Sequence, residues 1–453
     1  MSVSALAPQQ RTPRPHLVAV PAPADDLTLL DADLRVPLVT GGEVGYANFD
    51  YAASAPCATA AYRAVTDLLP RYASVHRGAG LPSQACTRAY ERARTSVAGF
   101  LGCRADDEVI FTRNTTDATN LLAHALPADA TVVVFDAEHH ATLLPWRHAV
   151  RLPVPDSPAA AVRGVDAALR ELRRGEDDRP LLVAVTGASN VTGEIWPVRE
   201  IATVAHRYGA RVFLDAAQLA PHREVDVDAL GVDYVALSGH KLYAPFGAGV
   251  LAGRSDWLDA AAPYLSGGGA TALVGDATND VSWSTGPARH EAGSPNVVGA
   301  VALAAVCEAL SAADRDALAV HEQALTERLL AGLAAIDGVR LLRLFADGPR
   351  VGIAAFAVPG IDSDVLAAAL SAEYGIGVRD GLFCAHPLTR RLLHEAGPDA
   401  PRTAVRASIG LGTTEADVDR LLAAVAALAA DGPQWTYEPV EGRPQPVPDP
   451  RQV

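Results

Sequence analysis

The sequence predicts an α/β protein in which a mainly parallel sheet lies between layers of helices and is joined to a smaller α+β domain. Three observations predict it. Short unbroken Val/Leu/Ile runs recur along the first two-thirds of the chain, segments of helical spacing separate them, and near Ala312 the texture shifts toward long Ala/Leu-rich stretches.

The strand candidates are, in order, Glu108–Thr112, Thr131–Phe135, Leu181–Val185, Arg211–Asp215, Tyr234–Leu237 and Gly249–Ala252. Continuous apolar runs of this length suit strands covered on both faces. Intervals such as Val198–Tyr208 have helical spacing, and strands alternating with helices build parallel sheets. Ligands of such sheets sit beyond the carboxyl ends of the strands. Past Ala312, a helix over Arg315–Ala335 leads to strands at Val339–Leu342 and Val351–Phe356 and to helices at Asp364–Tyr374 and Glu415–Ala429. The chain divides into an N-terminal extension (1–35), a large domain (36–311), a small domain (312–431) and a Pro-rich tail (432–453). The start of the large domain is expected to touch the small one. The extension is read as a tail or loosely docked arm. The C-terminal tail is read as extended, with Trp435 and Tyr437 as anchors.

Composition narrows the class. A chain of 453 residues, 49% apolar and 20% charged, reads as soluble and globular, with room for two or three domains. A net charge of −15 argues against a broad basic surface for nucleic acid. No run of about 18 apolar residues predicts a membrane span. The first residues lack a compact apolar run with a cleavage site, so the expected location is cytoplasmic. The five cysteines are scattered and form no CxxC pair or Cys/His cluster, so no metal is expected.

The polar residues at the strand ends suggest a cofactor site. Pyridoxal 5'-phosphate needs a lysine to form a Schiff base, an acid for the pyridine nitrogen, donors for the phosphate and a group to stack on the ring. Asp215 closes an apolar strand and can face a buried cationic nitrogen, although helix capping would also place an aspartate there. Gln218, three residues on, can reach the phenolic oxygen. Lys241 follows the Tyr234–Leu237 strand within Ser238-Gly239-His240-Lys241, one strand-helix-strand unit after Asp215. Alone it would be an ordinary solvated lysine; paired with Asp215 it is much more specific. Ser238 and His240 are candidate phosphate donors. Thr115 and Thr116 open a helix after a strand, which makes an anion site or an ordinary cap. His139 follows the Thr131–Phe135 strand and could stack on the ring or be structural.

With these segments in place, the chain resembles class V of the fold-type I enzymes that use pyridoxal 5'-phosphate. Within that class it is similar to the type II cysteine desulfurase and selenocysteine lyase group. The resemblance runs from about Ala47 to Val425. It rests on Asn48–Ser54, Val75–Gly78, Phe111–Asp117, Glu138–Trp146, Ser189–Gly193, Asp215–Gln218, Ser238–Tyr243, Glu291–Asn296 and Arg406–Ser408. It implies a seven-stranded sheet and a homodimer with shared active sites. It makes Lys241 the Schiff-base lysine and proton shuttle, Asp215 the partner of the pyridinium, Gln218 the neighbour of the ring oxygen and His139 the stacking group. Thr115, Thr116, Ser238 and His240 would bind phosphate, completed by Gly293 and Ser294 of the other subunit. Ser294 stands where the family usually has Thr. Asn190, beside the cofactor, and Arg406 would hold the amino-acid substrate, with Arg406 forking onto its carboxylate. His76 and Arg379 match further active-site positions.

The resemblance also aligns Cys384, in Val378–Pro387, with the cysteine that becomes a persulfide while L-cysteine becomes L-alanine. Such a nucleophile is expected to be exposed and mobile, and Gly381 and Pro387 suit a loop. A sulfur-acceptor protein is then an implied partner. The segment departs from the group at Leu382 and Phe383, where polar, often His-containing residues are usual, and at Asp380, which replaces a common hydroxyl residue. That leaves selenocysteine lyase, another C–S lyase, an epimerase or an aminotransferase as alternatives. Cys57, Cys86, Cys103 and Cys307 are read as structural.

Overall fold

In the computed structural model, residues 26–174, 178–277 and 280–451 are described. Seven strands form the central sheet, in the spatial order Asp107–Thr112, Gly249–Arg254, Tyr234–Ser238, Ala210–Asp215, Leu181–Thr186, Thr131–Phe135 and Ala149–Leu152. Every neighbouring pair is parallel except those of Gly249–Arg254, which runs antiparallel to both its neighbours. Thr131–Phe135, Leu181–Thr186 and Tyr234–Ser238 are buried at every position, the burial their unbroken apolar runs predict. The edge strand Ala149–Leu152 carries no strand signature in the sequence. It carries Arg151 and is only half-buried at best, so no apolar run marks it.

This order brings the functional segments to one edge. Gly249, the first residue of the antiparallel strand, pairs with both Thr112 and Ser238, while Asp215 pairs with Thr186 and Ala236. The loops after these strands therefore open side by side. Gly249 also lets the helix Thr115–Ala125 come close, because a Cβ there would lie 2.5 Å from the Asn114 Cα.

The C-terminal region holds a four-stranded antiparallel sheet in the order Arg340–Leu342, Ile353–Ala357, Ala404–Ser408 and Arg379–Gly381. The helices Arg315–Ala335, Ser363–Tyr374 and Glu415–Asp431 contribute Leu329, Leu370 and Leu421 to its core. That core also takes Ala47 and Phe49 from near the start of the described chain. Their amides donate to Gly375 O and Gly377 O at 3.0 and 2.7 Å, and Ser408 N donates to Phe49 O at 2.7 Å. These bonds set Asp50 beside the strand that carries Arg406.

The described parts of both chain ends are docked on the body. Residues 1–25 of the expected arm lie outside the described residues. From residue 26 the chain is docked firmly: Leu29 is buried in the main core and forms a bridge with Ala58. The C-terminal tail is a hairpin rather than a simple extended segment, with Tyr437–Val440 paired to Arg443–Pro446. Glu441 and Gly442, at φ 50° and 78°, make its two-residue turn. No single helix among the described residues is long and apolar enough to cross a membrane.

Candidate active site

A cavity of 590 Å³ opens at the carboxyl edge of the large sheet, closed on its far side by the segment around Asp50 and the strand of Arg406. At its floor, Asp215 ends its strand fully buried, and both carboxylate oxygens are held. Thr142 Oγ1 donates to Oδ2 at 2.7 Å and Ala217 N to Oδ1 at 3.0 Å. Lys241 lies in the same cavity. Burial pushes its amine down to about 8, with Arg406 adding to the effect and Asp215 opposing it.

His139 caps the short helix His140–Leu143, its Nδ1 accepting from Ala141 N at 3.0 Å. A backbone N–H can only donate, so that ring nitrogen carries no proton. Burial, then the Lys241 charge, pushes His139 down to about 4, leaving a neutral flat ring at neutral pH. Beside it Glu138 is completely buried, and burial holds its carboxyl well above the usual range. Glu138 Oε1 accepts from Thr186 N at 3.1 Å, which ties the His139 loop to the adjacent strand end. Gln218 Nε2 donates to Ala52 O at 2.7 Å and keeps one N–H free of that bond.

The helix Thr115–Ala125 presents its N-terminus to the cavity. Asn114 caps it, its Oδ1 accepting from Asp117 N at 3.0 Å. Thr115 N and Oγ1 both lie 2.8 Å from Ser238 Oγ, which ties the helix start to the segment before Lys241. Thr116 is exposed in the first turn. His240 Nδ1 lies 3.3 Å from Ser54 Oγ, and burial pushes its imidazole down to about 4. Hydroxyls, a neutral imidazole and the start of a helix line the same part of the cavity wall, a donor set suited to an anion.

The opposite wall carries Arg406, 3% exposed. Its Nη1 donates to Asn190 O at 2.9 Å and its Nη2 to Asp50 Oδ1 at 3.3 Å, while its buried Nε has no partner. Asn190 Nδ2 donates to Phe383 O at 2.7 Å. The Phe383 ring is buried, with the Arg406 guanidinium carbon 5.4 Å from its centroid. An apolar residue before Cys384 thus covers the arginine. Arg379 lines the cavity from an exposed position.

Cys384 is exposed and lines the same cavity. Its backbone is pinned rather than loose. His140 N donates to Cys384 O at 2.7 Å, Ala385 N and Thr389 Oγ1 donate to Leu382 O at 3.0 and 3.2 Å, and His140 stacks edge-on with His386 at 4.4 Å. Phe383 and Cys384 sit at φ 53° and 52°, a left-handed conformation costly for residues with a Cβ. Of the other cysteines, Cys86 and Cys307 are buried and Cys57 and Cys103 half-buried; burial pushes the Cys103 thiol up to about 12.

Three sequence-predicted residues do not line this cavity. His76 holds Glu91 Oε1 at 2.8 Å on the helix Leu81–Phe100, and Gly293 and Ser294 also lie elsewhere. Four residues with functional placement were not singled out: Asp50, Asn114, Glu138 and Thr142. All four fall inside the segments that carry the family resemblance, and that is the signal that could have found them.

The residues present fit pyridoxal 5'-phosphate. A buried lysine, a doubly held carboxylate, a neutral flat imidazole and an anion cradle share one cavity, and Arg406, whose buried Nε has no partner, lines it too. The model for class-V aminotransferases matches residues 47–421. A cysteine desulfurase of Dickeya dadantii is 37% identical over 369 residues, 78% of this chain and 85% of that protein. A probable cysteine desulfurase of Pseudomonas aeruginosa is 39% identical over 381 residues, 80% of this chain and 90% of its own. Among solved structures, the apo cysteine desulfurase of Thermococcus onnurineus superposes with a TM-score of 0.74 at 30% identity, covering 85% of this chain and 95% of that one. The cysteine desulfurase CsdA of Escherichia coli gives 0.70 at 33%, with the same coverage. By the extent of the family match and by these relatives, the chain belongs to the class-V aminotransferase family.

Proposed function

We propose that this protein is a pyridoxal 5'-phosphate-dependent cysteine desulfurase, converting L-cysteine to L-alanine and holding the released sulfur on Cys384. The observation that carries the reading is an exposed cysteine at the cavity that also contains Lys241, Asp215 and Arg406. In this reading Lys241 bonds the cofactor, Asp215 faces its ring nitrogen, Gln218 its ring oxygen and His139 its face. Thr115, Thr116, Ser238 and His240 cradle its phosphate. A second copy of the chain would complete the cradle with its Gly293 and Ser294. The cofactor, when bound, supplies an electron sink next to the substrate α-carbon.

The chain's residues do the rest. Arg406, with Asn190 and Arg379 nearby, takes the α-carboxylate and orients the amino acid. The Lys241 amine is the base that carries the α-proton, at an amine pKa suited to taking and returning it near neutral pH. Cys384 Sγ attacks the substrate sulfur. The carbon–sulfur bond breaks, a sulfur–sulfur bond forms, and the carbon is protonated, so thiol plus L-cysteine becomes persulfide plus L-alanine. An external thiol or a sulfur-acceptor protein then removes the terminal sulfur. A cytoplasmic homodimer is the working form in this reading.

The test is a turnover assay with L-cysteine and reductant, measuring alanine and sulfide together. Wild type should give them one to one. Cys384→Ala should keep the cofactor's visible absorbance and lose about a hundredfold or more in both products. Full sulfide release from Cys384→Ala would overturn the persulfide step and favour direct C–S lysis.

A further inference from the structure

Arg406 carries a half-filled fork. A guanidinium binds a carboxylate side-on through Nε and Nη2, two parallel donors matching two oxygens. Here Nη2 meets Asp50 Oδ1 at 3.3 Å, long for a charge-assisted bond, and Nε is buried with no partner. The remaining nitrogen, Nη1, is committed to Asn190 O at 2.9 Å. Asp50 therefore neutralises the arginine without saturating it.

Asp50 holds its backbone fixed and leaves its carboxylate the more exposed partner of the pair. Asp50 N donates to Asn48 Oδ1 at 2.9 Å, and Asp50 O accepts from Ala53 N and Ser54 N at 3.0 and 3.3 Å. Its side chain is 29% exposed, against 4% for Arg406, and it lines the cavity. Burial raises its carboxyl, while Arg406 and then Arg379 pull it back down, so a second cation lies within reach of its charge.

We propose that Asp50 occupies the substrate-carboxylate position on Arg406 at rest and is displaced by the α-carboxylate of the incoming amino acid. This rests on the reading of Arg406 as the carboxylate-binding residue. Asp50 is a positioning residue. It keeps the buried guanidinium neutralised and aimed between turnovers, and it sets an affinity threshold that only a two-oxygen acceptor crosses. The substrate engages both Nε and Nη2, whereas Asp50 engages one.

Calorimetry on the holoenzyme tests this with L-alanine and ethylamine, which differ only by the carboxylate. Asp50→Asn keeps the shape and removes the competing charge. It should tighten L-alanine binding about fivefold and leave ethylamine within about twofold. Asp50→Ser, smaller and also uncharged, should likewise tighten L-alanine binding and leave ethylamine unchanged. Loss of L-alanine affinity in both variants, or an equal change for the two probes, overturns the proposal, because a merely structural role predicts one of those results. L-Alanine binding needs no sulfur chemistry, so failure to make sulfide from cysteine would sink the desulfurase reading and leave this comparison standing. A wild-type holoenzyme that does not prefer L-alanine to ethylamine would overturn the carboxylate site itself.

Discussion

A lysine amine attacks a carbonyl only when it is unprotonated, and burial disfavours its charged form. Lys241 is held down to about 8 in this way, with Asp215 as the largest opposing influence. The amine is therefore increasingly competent as pH rises through about 8, well below the range of a surface lysine. The rate at which the apoprotein takes up pyridoxal 5'-phosphate, followed by visible absorbance, should rise with a midpoint near that pH. Asp215→Asn removes a negative charge that favours the ammonium, so the midpoint should fall even as final occupancy drops. A midpoint near 10 in the wild type would contradict the buried setting. Lys241 and Asp215 were legible in the sequence because each follows a recognisable strand, and strand order alone sets them at one edge. Asp50 and Thr142 were not. Thr142 matters only because its hydroxyl lies 2.7 Å from Asp215, and Asp50 only because a distant strand brings Arg406 to it. Those are pairings across 73 and 356 residues that no local pattern encodes.

At the scale of elements, the anion cradle depends on how closely the helix Thr115–Ala125 approaches the sheet. Gly249 governs that approach, since an added Cβ would collide with the Asn114 backbone. Gly249→Ala should cost about 1–3 kcal/mol of stability by overpacking and displace the helix start. The apoprotein's preference for pyridoxal 5'-phosphate over unphosphorylated pyridoxal should then narrow, because the lost contacts are those of the phosphate. Competitive binding of the two compounds measures it, and an unchanged ratio with lowered stability would separate packing from anion binding. The central strands were legible for the physical reason that burial on both faces demands continuous apolar runs. The edge strand Ala149–Leu152 and the tail hairpin escaped because an edge strand needs no such run, and because the turn at Glu441-Gly442 depends on positive φ at a glutamate, which composition does not advertise.

Across the whole molecule, the two ends of the described chain brace the small sheet and the thiol segment. Near the start, Phe49 enters the C-terminal core. At the finish, Glu373 gathers the hairpin. Its Oε1 accepts from Trp435 N and Tyr437 Oη at 3.2 and 3.0 Å, and its Oε2 from Gln434 N at 3.1 Å, in a setting only 6% exposed. The hairpin in turn reaches Asp380, whose carboxylate takes Arg443 Nη1 at 3.2 Å on the strand that leads to Cys384. Trp435 and Tyr437 stood out in the sequence as aromatic residues in a Pro-rich tail. Their acceptor did not, because Glu373 is an unremarkable helical glutamate until the hairpin folds over it. Glu373→Ala removes the acceptor of three part-buried hydrogen bonds, each worth about 0.5–1.5 kcal/mol net, while the large-sheet core contains none of these groups. The hairpin should therefore open on its own: amide exchange across Tyr437–Val440 and Arg443–Pro446 should quicken at least about tenfold, with protection in Leu181–Thr186 unchanged. If the hairpin braces the strand before Cys384, alkylation of Cys384 by iodoacetamide should change rate in the same variant. Hairpin amides that stay as protected as in the wild type would show that the tail is held by its apolar contacts and not by Glu373.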